Sequence, residues 1–228
     1  MAASNMRDLL FRDEDLHPDL RPHVLTDEDL GMQVLHHELV VQVPYLPKLN
    51  AVVNQSYLAK REAIERAVND GDLSRIIWLY ERPYRLHAFV RHMDAMDDET
   101  YWSLLRDVWV DTEFPWRNMS TWKNLFAAKR PYRRSFLMMP DEFNALSNMP
   151  KRVRVYRGCE LEHEADGCGI SWTVRKDVAE FFARRFDRGG SVITAEVDRG
   201  DIVAYFDNRN EDEVILIDCP DWEVVTND

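Results

Sequence analysis

Near Pro150 the apolar period of the chain changes, and that change limits the fold more than any other feature of the sequence. Before it, apolar residues recur about every three to four positions, the spacing of helices that bury one face. After it they alternate, or gather in short β-branched runs bounded by Gly, Pro and Asp, as strands do. The predicted class is α+β: an N-terminal α-helical region, then a small mixed or antiparallel β core with one inserted helix.

Within the helical part, Thr26 stands ahead of Asp27, Glu28 and Asp29 like an N-cap, and Leu30, Val34, Leu35 and Leu39 follow at helical spacing. A second helix is expected from Asn50 through Ala67, stopped at Gly71. The stretch Leu73 to Trp109 holds Ile76, Ile77, Leu79, Leu86, Phe89, Trp102, Leu104, Leu105 and Trp109, with breaks near Pro83 and at Asp97–Asp98, and predicts two or three packed helices. Trp78, Trp102, Trp109, Trp116 and Trp122 fall in or near this region, and their helical spacing assigns most of them to core packing, not to ligand stacking. Ser120 and Pro140–Asp141 are candidate starts of two further helices.

Strands are expected at Arg152–Tyr156, Ile170–Val174, Ser191–Val197, Ile202–Phe206, Val214–Ile217 and Trp222–Thr226. A helix from Lys176 to Phe186, with Val178, Phe181, Phe182 and Phe186 on one face, separates the second strand from the third.

Composition narrows the functional classes. The chain of 228 residues is 45% hydrophobic and 31% charged, and no apolar run approaches the roughly 18 residues of a membrane span, so a soluble protein without a membrane partner is expected. The start, MAASNMRDLLFRDEDL, is acidic where an export signal is apolar, which predicts a cytoplasmic site of action. Cys159, Cys168 and Cys219 are too few for a disulfide framework and read as small buried thiols in a reducing compartment. With His163, two of them form a C-x3-H-x4-C pattern that fits no common zinc site and lacks a fourth ligand, so no metal is expected.

A net charge of −12 disfavours a general nucleic-acid coat. Between Lys123 and Arg157, however, Lys123, Lys129, Arg130, Arg133, Arg134, Lys151, Arg152, Arg154 and Arg157 face only Asp141 and Glu142. That run reads equally as a solvated surface or as a basic surface for an anion.

Three fragments occur in succession: Val155-Tyr156-Arg157-Gly158, Ile170-Ser171-Trp172-Thr173, and Glu211-Asp212-Glu213 opening a strand. Each alone is weak, but their order is specific. The succession resembles the Arg–Ser–Glu, toxin-like class of ADP-ribosyltransferases, over about residues 151–228, with Arg157, Ser171 and Thr173, and the pair Glu211 and Glu213 on the family's motif positions. Trp172, within the Ser-Thr-Ser-like element, departs from the pattern.

The resemblance implies an ADP-ribosyltransferase-type core within a catalytic domain of about residues 112–228; the helical region 1–111 ahead of it is open to three roles, a targeting surface, a lid over the NAD⁺ cleft or support for the β core. It implies NAD⁺ as co-substrate. Gly158, Trp172, Thr173 and Phe181 are then expected at the NAD⁺ pocket together with Arg157 and Ser171. Chemistry supports the residue types: breaking the nicotinamide glycosidic bond builds an oxocarbenium-like cation that needs a facing carboxylate, the role of Glu213. Ser171 orients that carboxylate, and Arg157 holds the pyrophosphate or adjoining ribose. Glu211, two residues earlier, shares a strand face with Glu213 at roughly 6 to 7 Å and addresses the acceptor. Asp207 to Asn210 is expected to form a mobile recognition loop.

In the family, Glu-x-Glu members tend to modify arginine, so a protein arginine is the first expected acceptor and a nucleic acid the second. Plain NAD⁺ hydrolysis is a further enzymatic reading. A non-catalytic binding module on the same fold is the alternative from another class. A phage-encoded or bacterial intracellular effector would suit such an enzyme.

Overall fold

The computed structural model describes residue 10 and residues 12–160, 169–185 and 190–225. It is mixed α+β, about 50% helix and 20% strand, with antiparallel sheets. Among the described residues no helix is long and apolar enough to cross a membrane. The chain divides into two compact units, Met1–Met96 and Asp97–Asp228.

The first unit corrects the expectation of an all-helical start. Strands β1 (Val24–Asp27), β2 (Met32–His37) and β3 (Val40–Gln42) form an antiparallel sheet where a helix was expected around Leu30 to Leu39. The acidic run after Thr26 closes a turn instead of capping a helix: the Asp27 carboxylate accepts the Leu30 N–H at 2.9 Å, and Gly31 takes a left-handed φ of 63°. Reversal there pairs Leu25 with Val34 and Val24 with Leu35. Three helices follow, α1 (Asn50–Asp70), α2 (Leu73–Leu79) and α3 (Arg85–His92). As expected, Gly71 ends α1 in the left-handed conformation, its N–H returning to Ala67 and Val68 carbonyls.

The second unit begins with α4 (Asp98–Asp111), capped by the Asp97 carboxylate on the Thr100 N–H at 2.7 Å. It therefore starts before the expected 111/112 boundary. The reason is packing: Trp109 of α4 meets Trp122 and Phe126 of α5 (Met119–Phe126) edge-on at 5.0 and 5.3 Å. Ser120 lies inside α5, one residue past its start. Trp102, Trp109 and Trp122 are buried, whereas Trp78 and Trp116 are exposed. A short α6 (Arg133–Phe136) and α7 (Pro140–Asn148) lead to the sheet, with Pro140 in the first turn of α7.

Six strands make one antiparallel sheet in the order β7-β8-β5-β4-β6-β9. They are β4 (Arg152–Cys159), β5 (Ser171–Thr173), β6 (Ser191–Asp198), β7 (Ala204–Phe206), β8 (Glu213–Ile215) and β9 (Trp222–Val224). Helix α8 (Lys176–Arg184) follows β5 and packs against β4. Their approach is so close that a Cβ on Gly158 would lie 2.2 Å from the Ala179 carbonyl oxygen and 2.5 Å from the Ala183 nitrogen. Only glycine allows that contact.

Candidate active site

The sheet register brings the Ser and Glu fragments together. β5 pairs with β8 so that Thr173 faces Glu213, Trp172 faces Val214 and Ser171 faces Ile215. Directly paired residues project to the same side, so Ser171, Thr173 and Glu213 share one face and Trp172 and Val214 the other. Across the diagonal the Ser171 hydroxyl donates to Glu213 Oε1. The second oxygen, Oε2, accepts the indole N–H of Trp109 at 3.1 Å.

Arg157 reaches the same place from β4, where its Nη1 donates to the Ser171 backbone carbonyl at 2.7 Å. Gly169 lies alongside, and a Cβ there would fall 2.4 Å from the guanidinium, so glycine at 169 leaves the arginine its space. Residues separated by 14 and 42 positions thus converge on one carboxylate and its neighbouring peptide.

Glu213 retains partial solvent contact at the residue level, yet its carboxylate is packed round by protein, and desolvation dominates its titration. Burial pushes its pKa up from 4.5 to about 7, against the opposing hydrogen bonds of Ser171 and Trp109. The charge of Glu211 adds to the rise and that of Arg157 opposes it. A carboxylate poised near neutrality, oriented on both oxygens and facing a fixed guanidinium, is suited to stabilising a cation or moving a proton.

Glu211 reaches this neighbourhood by a route other than the one expected. β8 begins at Glu213, and Glu211 lies in the turn before it, after a single 3-10 turn at Asn208–Asn210. Asn210 and Asp212, on either side, are left-handed at φ 61° and 46°. The carboxylates therefore do not lie on one continuous strand, and their proximity comes from the turn. Asn and Asp are the non-glycine residues that take this conformation most readily, and surrounding contacts hold them in it here.

Several contacts hold this loop. The Thr173 hydroxyl donates to the Glu211 carbonyl at 2.7 Å, the Val174 N–H to the Asp212 carbonyl at 3.2 Å, and Arg175 to the Asn210 carbonyl at 3.0 Å. The Tyr205 hydroxyl donates to the Asp212 carboxylate, and the Asp207 N–H donates to Glu142 of α7 at 3.1 Å. The loop that presents Glu211 is anchored at both ends.

Arg157, Ser171, Thr173, Glu211 and Glu213 are thus brought together. Three expected pocket residues are placed elsewhere. Trp172 is 2% exposed and donates its indole N–H to the Gly169 carbonyl at 3.2 Å, because strand alternation turns it into the core. Gly158 packs against the α8 backbone. Phe181 is 63% exposed, since Ala179 is the buried residue of α8. Phe186, His163 and Cys168 lie outside the described residues. Cys159 is half-buried and Cys219 is exposed, so neither is the fully buried thiol expected.

No known family, curated protein or solved structure matches the chain.

Part of the basic run is structural. Arg130 pairs with Asp98 at 3.2 Å and stacks over Tyr101, and Arg133 donates to the Phe126 carbonyl at 3.2 Å, whereas Lys129, Arg134, Lys151, Arg152 and Arg154 are exposed. A cleft of about 510 Å³ opens beside α8, β6 and β9, lined by residues such as Lys176, Glu180 and Arg184 and by none of Arg157, Ser171 and Glu213. Trp109, Arg106, Glu142 and Arg175, which hold the carboxylate and its loop, belong to no motif. The only sequence signal for Trp109 was a tryptophan on a helix expected to be buried.

Proposed function

We propose that the chain is an NAD⁺-dependent ADP-ribosyltransferase. The observation that carries the reading is the convergence of Arg157, Ser171 and Glu213, with the serine hydroxyl on the glutamate carboxylate and the arginine on the serine's own carbonyl. The antiparallel sheet with α8 between the serine strand and the next suits an ADP-ribosyltransferase-type core.

In this reading the pair of electrons in the ribose C1′–N bond leaves with nicotinamide, and the cation formed at C1′ is stabilised by ionised Glu213, which also accepts a ribose hydroxyl. Ser171 keeps the carboxylate plane fixed. Arg157 binds the pyrophosphate as a permanent, forked donor. The acceptor then attacks C1′ and yields its proton to Glu211. A protein arginine is the acceptor proposed first, because the family's Glu-x-Glu members favour it.

The test is incubation with NAD⁺ labelled in its adenylate portion, reading nicotinamide release and label in the protein and RNA fractions of a lysate separately. Label on protein supports the proposal, label on RNA transfers it to a nucleic-acid acceptor, and release without label makes the enzyme an NAD⁺ hydrolase. No release rejects it.

Two substitutions divide the roles. Arg157→Ala removes a charged hydrogen-bond donor and is expected to weaken NAD⁺ binding roughly 10- to 150-fold, as seen by calorimetric titration. Equal affinity in the two proteins rejects that assignment. Glu211→Gln leaves glycosidic cleavage to Glu213, so nicotinamide release persists while acceptor labelling falls well below it. Parallel loss of both activities removes the division.

A further inference from the structure

Glu213 receives one donor on each oxygen, and the two donors are not equivalent. The Ser171 hydroxyl rotates and accepts as readily as it donates, so it can bond either charge state of the carboxyl group. The Trp109 indole N–H only donates, so it favours an unprotonated Oε2 and leaves Oε1 as the oxygen that takes up a proton.

The indole is also held in place. Trp109 is 5% exposed and meets Trp122 and Phe126 edge-on, which gives α4 a rigid platform beneath the carboxylate. Its partner is unusual in the same unit: Trp102 and Trp172 donate to the backbone carbonyls of Pro131 and Gly169. Neighbouring Trp122 keeps a buried indole N–H with no partner, so this cluster packs without requiring every such bond. The bond to Glu213 therefore fixes a functional group, beyond satisfying a buried donor.

We infer that Trp109 is a positioning residue for Glu213: from α4 it sets the rotation of the carboxylate and keeps Oε2 an acceptor, so that the oxygen plane facing the ribose is fixed from two elements. The inference rests on the proposed role of Glu213 at the ribose. Arg157 from β4 and Glu211 from the loop are the charges that act on Glu213, and neither replaces a directed bond to Oε2. Loss of the indole N–H removes one of the influences that hold the Glu213 pKa down.

The experiment uses Trp109→Phe and, at the same position, the tryptophan isostere in which sulfur replaces the indole N–H. Nicotinamide release is measured from about pH 5 to 9, and the Glu213 carboxyl group is titrated by ¹³C NMR. At neutral pH kcat is expected to fall roughly 10- to 100-fold, as for loss of a charge-assisted bond, with KM for NAD⁺ changed by less than about 3-fold. Both the activity midpoint and the carboxyl titration should move upward by roughly half a unit or more. Should Trp109→Phe fail to fold, the isostere decides. An unshifted titration, or a loss of rate equal at every pH, overturns the inference and leaves Trp109 a packing residue. Wild-type nicotinamide release by Glu213→Gln would instead sink the proposed function itself.

Discussion

Glu213→Gln is expected to lower nicotinamide release by roughly 10²- to 10³-fold and, in the same protein, to raise stability above neutral pH. In the proposed transferase the first effect follows from removing a preorganised negative charge that faces the developing cation. The second follows from linkage. Burial raises the folded-state pKa of Glu213 from 4.5 to about 7. Between those values the native state binds a proton that the unfolded chain does not, so stability declines as pH rises through this window. The decline is about 1.4 kcal/mol per pH unit, or roughly 3 kcal/mol across the whole shift. Above pH 7 the wild type carries that full cost and the glutamine carries none. Below pH 4.5 both side chains are neutral and the difference vanishes. The glutamine can keep both contacts, its oxygen accepting from Trp109 and its NH2 donating to the Ser171 hydroxyl, but these are neutral bonds in place of charge-assisted ones, so the net gain is reduced to about 1–2 kcal/mol. Urea unfolding at pH 5 and pH 8 measures it. A difference that does not grow with pH means that the carboxylate is not desolvated, and undiminished nicotinamide release in the folded mutant removes the transferase reading.

What was legible in the sequence is the part written locally. The short strands after Pro150 and α8 were predictable from period and turn residues, and each expected strand is present to within a few residues of its ends. The stretch from Thr26 to Leu39 was not, because an acidic run before a spaced apolar series suits an N-cap and an Asx turn equally. Gly31, a poor helix residue by about 1 kcal/mol, was the signal that favoured the hairpin. At the site, Ser171 and Glu213 were visible because their fragments follow the Arg157 fragment in the order that the family resemblance calls for. Trp109, Arg106 and Glu142 were not, because their roles arise from how α4 and α7 pack near β7 and β8, and a single sequence does not encode which helix face meets which strand end. The i, i+2 argument for Glu211 failed for a related reason: two left-handed residues place it in a turn, and neither Asn210 nor Asp212 is a glycine that would have announced one.

Glu142→Ala is expected to destabilise the second unit by about 3–5 kcal/mol, because it leaves the charge of Arg106 buried without its main partner. Arg106 is 9% and Glu142 6% exposed, and they pair at 3.0 Å through Nη2, with Nε at 3.4 Å from the other oxygen. Asp107, 3.4 Å from Arg106 Nη1, keeps part of the compensation and places the loss toward the lower end. The same carboxylate accepts the N–H groups of Met139 at 2.7 Å and Asp207 at 3.1 Å, so it joins α4, the start of α7 and the loop after β7. Replacing both partners, Arg106→Met with Glu142→Gln, removes the buried charges and should recover much of the stability, since an amide oxygen still accepts from one backbone N–H. It cannot serve Met139 and Asp207 as the two carboxylate oxygens do. On the proposed division of roles, the folded double mutant is therefore expected to retain nicotinamide release, assigned to Glu213 and its own donors, and to lose acceptor labelling, assigned to the loop that carries Glu211. Thermal unfolding of the single and double mutants, with both activities measured on the folded double mutant, separates the two effects. A stable Glu142→Ala protein would show that Arg106 does not require the pair. Unchanged labelling in the double mutant would show that the anchors from Thr173 and Arg175 are enough to present Glu211.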